Sequence, residues 1–168
     1  MHLSDSGRGN DSISIDVFFG TGLLRQLTII VALAHKAELP HASALSTSAI
    51  LLAAAALEAV LSEAAYLRRK NLYGTSKFRQ AGVPEKYEML VGSDSAELEE
   101  LWLVRNSISH SEPHNERSRF AGNRLSPSGA QWALDVVRAT AMEAWAHSPP
   151  ADLLEAINAA LPCLIVKA

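Results

Sequence analysis

Apolar positions recur at helical spacing through most of the chain, and they rarely alternate with the period of two that strands require. Leu23, Leu24, Leu27, Ile30, Val31 and Ala34 form one such stripe, which predicts a helix from about Gly22 to Glu38 that Pro40 ends. A second helix is expected from a cap at Ser43 or Ser46 to about Lys70, some seven turns. Its first half is apolar nearly all round and should be buried on several sides. Its second half turns amphipathic, with Glu58 and Glu63 among Leu57, Val60, Leu61 and Leu67. Asn71 to Pro84 reads as a connection with room for one short turn. A third helix builds from Pro84, breaks near Gly92-Ser93-Asp94, resumes behind a cap at Ser93, Asp94 or Ser95, and runs to His110. Ser111 to Pro127 is polar and reads as a loop of about 16 residues. A fourth helix, from about Ser128 to His147, carries Trp132, Leu134, Val136, Val137, Met142 and Trp145 before Pro149-Pro150 breaks it. A short helix from Asp152 to about Ala160 precedes an apolar tail, Leu161 to Val166, that packs on the bundle or on a partner.

Composition strengthens the helical reading. Of 168 residues 48% are hydrophobic but only 6% aromatic, so the apolar content is mainly Ala, Leu, Ile and Val, and the alanine runs favour helix. The expectation is an all-α protein: an antiparallel four-helix bundle with an additional short C-terminal helix. Residues 1–15, rich in Ser, Gly and Asp, read as a flexible N-terminal segment, and residues 16–168 as a single domain. The single cysteine, Cys163, and the lack of a charged stretch followed by an apolar one at the start point to the cytoplasm. The run Ala49 to Leu57 is about half of the ~20 residues that span a bilayer, so a buried helix is expected, with no membrane partner.

The net charge of −3 excludes a uniformly basic nucleic-acid-binding surface, yet the charge is segregated. Leu67 to Arg79 holds Arg68, Arg69, Lys70, Lys77 and Arg79 with no acid, whereas Glu85 to Glu100 holds six acids against Lys86. From Arg105 to Arg124 the balance is again positive, with Arg105, Arg117, Arg119 and Arg124 against Glu112 and Glu116. Two cationic segments can flank one phosphate-binding site, or be ordinary solvated helix ends. For Arg68, Arg69 and Lys70, the second reading is that they complement a helix dipole.

The segment Arg105-Asn106-Ser107-Ile108-Ser109-His110 carries the candidate chemistry. By residue frequency, an Arg followed after four residues by a His arises by chance about 0.4 times in this chain, and Asn directly after the Arg lowers that to about 0.01. Histidine can take the proton of an RNA 2′-hydroxyl at neutral pH, and arginine can hold the phosphate and stabilise the pentacoordinate transition state. No metal is needed, and the products are a 2′,3′-cyclic phosphate and a 5′-hydroxyl. In a regular helix Arg105 and His110 diverge by about 140°. They meet on one phosphate within one chain only if the helix loosens near Ser109, which the nearby Ser111 and Pro113 favour. The leaving 5′-oxygen also needs a proton, which His114 or a second copy of the motif across a two-fold axis could supply.

These six residues, in a helical chain of this size, resemble the signature of the HEPN family, the higher eukaryotes and prokaryotes nucleotide-binding domains. The resemblance implies a HEPN-like bundle, a metal-independent endoribonuclease, and a homodimer that composes the active site from both copies of the motif. It implies Arg105 and His110 as catalytic residues, with Asn106 orienting the histidine or the phosphate. It also implies RNA as substrate and, as for toxin-type members, an antitoxin or inhibitor protein as partner. Ser111 is small, but not the Gly that often follows the histidine.

RNA contacts are expected from Arg68, Arg69, Lys70, Arg117, Arg119 and His114. Neither metal nor cofactor is expected, because His110, Glu112 and His114 around a proline lack zinc spacing. Trp102, Trp132 and Trp145 occupy apolar helical positions and are expected in the core rather than stacked on bases. Glu58 and Glu63 are expected to face water or, if buried, to need a partner such as Arg105. Two alternatives remain open. One is a non-catalytic HEPN-like module that binds nucleotide or RNA or a protein. The other is a helical interaction protein in which Arg105 pairs with Glu97, Glu99 or Glu100 and His110 caps its helix.

Overall fold

A run of alanines punctuated by Ile50, Leu57, Val60 and Leu61 can be buried on several sides, and α2 (His41–Arg68) is the central helix. The structure, a computed structural model, describes residues 11–110 and 122–163, with backbone alone over residues 11–18. The other helices on which the site depends are α1 (Asp11–Lys36), α3 (Lys70–Tyr73), α4 (Ser76–Gln80), α5 (Val83–Val91), α6 (Ala96–Ser109), α7 (Pro127–Ala144) and α8 (Ala151–Asn158). No strand occurs among the described residues, and the fold is all-α.

Helix α2 packs most extensively on α1, then on α7, and also touches α5 and α6. Leu24, Leu27, Val31 and Ala34 of α1 are fully buried against it, while Leu23 and Ile30 pack at the edge of the core. The connection between α1 and α2 is short and reverses the chain, so the Gly20 N–H meets Glu63 Oε1 across the pair at 2.9 Å. The C-terminal ends of α2 and α7 lie together, where the Arg68 guanidinium donates to the Ala144 carbonyl. Leu153, Ala156 and Ile157 anchor α8 to α1 and α7. By length and composition α2 is apolar enough to cross a bilayer, with a mean hydropathy of 1.9 over an 18-residue window, but half of that window is buried inside the protein.

Several boundaries differ from the pattern-based ones. Helix α1 begins at Asp11, within the stretch expected to be flexible, and passes through Gly20 and Gly22 without a break. Residues 1–10 lie outside the described residues. Neither Ser43 nor Ser46 caps α2: Pro40 holds the N-cap position without a side-chain cap, and Ser46 Oγ turns back to the Ala42 carbonyl at 2.7 Å. The segment read as one short turn holds α3 and α4, the latter capped by Thr75 accepting from the Phe78 N–H at 3.1 Å. Helix α7 stops at Ala144, short of His147, because Ala146 and His147 adopt left-handed φ values of 47° and 60°. Hydrogen bonds of 2.8 Å from Ala146 N–H to the Glu143 carbonyl and from His147 N–H to the Met142 carbonyl offset that strain.

Candidate functional site

Helix α6 carries the Arg-Asn-x3-His segment, and its start follows from local chemistry. Gly92 ends α5 with a left-handed φ of 89°, which costs a glycine little, and Ser95 then caps α6 by accepting the Leu98 N–H at 3.4 Å. Leu98, Leu101 and Val104 are each 1% exposed and seat the helix on the core, with Ile108 packed against it. That stripe fixes the rotation of α6. It leaves Trp102, Arg105 and Asn106 half-buried on one flank and Ser109 and His110 exposed.

Arg105 leans back by one turn, its guanidinium carbon 4.9 Å from the centre of the Trp102 ring, and its Nη1 donates to Asn106 Oδ1 at 2.9 Å. A guanidinium only donates, so the amide oxygen of Asn106 must face it. No carboxylate pairs with Arg105 among the described residues. The surface pair with Glu97, Glu99 or Glu100 therefore does not form. Glu100 instead accepts from Arg124 Nε at 2.8 Å and Nη2 at 2.6 Å, and that guanidinium lies 4.1 Å over the Trp132 ring.

The helix does not loosen before His110. Its N–H still donates to the Asn106 carbonyl at 2.9 Å, and only the cap residue itself leaves helical geometry, at φ −114° and ψ 28°. Five residues of helix separate Arg105 and His110 by about 7.5 Å along the axis and about 140° around it. One chain alone does not turn the two toward a common point. Asn106 restrains the arginine, a contact that the expected roles did not include. Leu103, 44% exposed, shares the outward face with His110 two turns later.

The flanking cations have structural partners. Arg68 caps the carbonyl end of α7 at Ala144, Arg69 donates to the Met89 carbonyl of α5 at 3.0 Å, and the Lys70 ammonium lies 5.8 Å over the Tyr66 ring. Both arginines thus complement helix C-termini. Arg117, Arg119, His114 and Glu112 lie outside the described residues. Of the tryptophans only Trp145 is buried, at 5% exposure; Trp102 and Trp132 are half-buried platforms for arginines.

Three buried polar contacts have no counterpart in the sequence reading. Lys86, 5% exposed, pairs with Glu58; Tyr87 donates to Glu143; and Glu63, 5% exposed, takes the Gly20 N–H. Glu58 and Glu63 thus find Lys86 and Gly20, not Arg105. Burial and the hydrogen bond to the Glu143 carboxylate push the Tyr87 hydroxyl up to about 12. The spacing Val83, Lys86, Tyr87, Leu90, which places all four on one helical face, was the available signal for a buried lysine.

Comparison with known proteins finds no matching family model, no similar curated protein and no similar solved structure.

Proposed function

We propose that this chain is a metal-independent endoribonuclease of HEPN type, a HEPN-like four-helix bundle with a short C-terminal helix that acts as a cytoplasmic homodimer. The observation that carries the reading is the Arg105 guanidinium, half-buried, held between the Trp102 ring and the Asn106 amide and paired with no carboxylate among the described residues, on the helix that ends at an exposed His110. A guanidinium already oriented and free of an acid can receive a phosphate without first breaking an ion pair.

The divergence of Arg105 and His110 within one chain makes a second copy necessary. A two-fold axis beside the C-terminal end of α6 would place both motifs in one cleft, with the exposed Leu103 at the contact. One neutral imidazole would take the 2′-hydroxyl proton as the 2′-oxygen attacks phosphorus. The P–O5′ bond breaks, and an imidazolium from the other copy gives its proton to the leaving 5′-oxygen. Each copy's Arg105 would hold the phosphate and offset the charge of the transition state. An antitoxin or inhibitor protein is the expected partner of such an enzyme, and RNA its substrate.

A second reading, a non-catalytic HEPN-like module that binds nucleotide, RNA or a protein, is favoured by one specific observation: the Asn106 amide oxygen is engaged by Arg105, and among the described residues no side-chain hydrogen bond orients His110. Incubating the protein with mixed RNA in EDTA, beside Arg105→Ala and His110→Ala, separates the two. Cleavage by the parent alone, with RNA binding retained in His110→Ala, supports the enzyme. Binding that is indifferent to His110→Ala, without cleavage by any form, supports the module.

A further inference from the structure

A cleft lies away from α6, where α1 near Phe19 passes the second half of α2 and the short α3. It encloses about 490 Å³, within the range of small-molecule sites. Three aromatic rings line it, Phe19, Tyr66 and Tyr73, with Ser62 and alanines between them. The charged residues that line it among the described residues, Glu58 and Glu63, are both acidic.

We propose that this cleft binds an organic cation of the quaternary or alkylated ammonium class. Tyr66 and Tyr73 stand edge to face, with centroids 5.3 Å apart and ring planes at 77°, so their π-faces form a corner rather than a stack. Phe19, 62% exposed, supplies a third ring at the rim. Rings set at steep angles around an apolar space are the arrangement that recognises a diffuse positive charge. The chain already uses one of these rings in that way, since the Lys70 ammonium sits 5.8 Å over Tyr66. Glu63 adds a carboxylate held in place by the Gly20 N–H, and Glu58 keeps nearly half of its side chain exposed beside its pair with Lys86. The two lining carboxylates, Glu58 and Glu63, disfavour a phosphate here. The site is therefore separate in chemistry, as in place, from any RNA contact at α6.

The test is calorimetric titration of the full chain with choline and with 3,3-dimethyl-1-butanol, its neutral isostere. Choline is expected to bind at least about tenfold more tightly than the isostere, and Tyr66→Leu to weaken choline about tenfold without changing the isostere. If Tyr66→Leu fails to fold, Phe19→Ala removes an exposed ring and should weaken choline by several-fold with the melting temperature unchanged. Equal binding of the two probes would overturn the proposal in favour of a plain apolar cleft. No choline binding at tens of millimolar would overturn it outright.

Discussion

At the scale of single residues, the charged groups of the core are asymmetric, and the asymmetry gives a sharp expectation. The Lys86 side chain is 6% exposed and that of Glu58 is 46% exposed. Removing the lysine leaves a carboxylate that water can reach, whereas removing the glutamate leaves a buried ammonium that faces only the Phe78 ring, 5.5 Å away, with no carboxylate among the described residues. Lys86→Met should therefore change stability by less than about 1 kcal/mol, while Glu58→Leu costs about 3 kcal/mol. Urea unfolding of the two variants checks the contrast, and equal losses would contradict it. Tyr87 adds a pH dependence. Its hydroxyl titrates near 10 in the unfolded chain and at about 12 in the folded protein, so below pH 10 both forms keep the proton and it adds no slope. As the pH rises from 10 to 12 the unfolded chain alone loses the proton, and stability falls. Tyr87→Phe should flatten that alkaline limb in thermal melts. Glu143 is exposed and regains water, so the variant should lose only about 1 kcal/mol at neutral pH.

At the scale of elements, α7 depends on one close approach. A Cβ at Gly129 would lie 1.9 Å from the Arg124 carbonyl oxygen, where the backbone has no side chain to move aside. Gly129→Ala should cost about 2 kcal/mol in spite of alanine's better helix propensity, read by thermal unfolding. It should also disturb the Arg124–Glu100 pair that ties the segment to α6. The elements themselves were largely legible. Gly92 with Ser95 marks a boundary that depends on local backbone chemistry, and there the pattern and the structure agree. Elements set by distant contacts were not legible. Gly22 reads as a helix start, yet α1 is continuous through it, and Glu63 reaches Gly20 from the second helix, 43 residues away. Ser46 has a capping side chain, but Pro40 had already started the helix one and a half turns earlier. The motif on α6 was visible as residues, and its neighbours were not: the Trp102 platform and the Asn106 contact to Arg105 depend on the rotation that Leu98, Leu101 and Val104 impose.

At the scale of the whole molecule, the proposed reaction requires two copies. Within one chain the helix carries Arg105 and His110 apart, and in the proposed dimer a second α6 would cover the face that holds the exposed Leu103. Leu103→Glu should leave the helical content unchanged, since the residue is 44% exposed, but shift the protein from dimer to monomer in sedimentation and reduce cleavage in parallel. A monomeric parent protein, or a monomeric variant of full activity, would remove the second copy from the mechanism.

The measurement that bears most directly on the central claim is the chemistry of the RNA ends produced in EDTA. The account predicts fragments with 2′,3′-cyclic phosphate and 5′-hydroxyl ends from the parent protein, and none from Arg105→Ala or His110→Ala. Fragments with other ends, fragments that persist in both variants, or intact transfer, ribosomal and messenger RNA after incubation with the parent would contradict it.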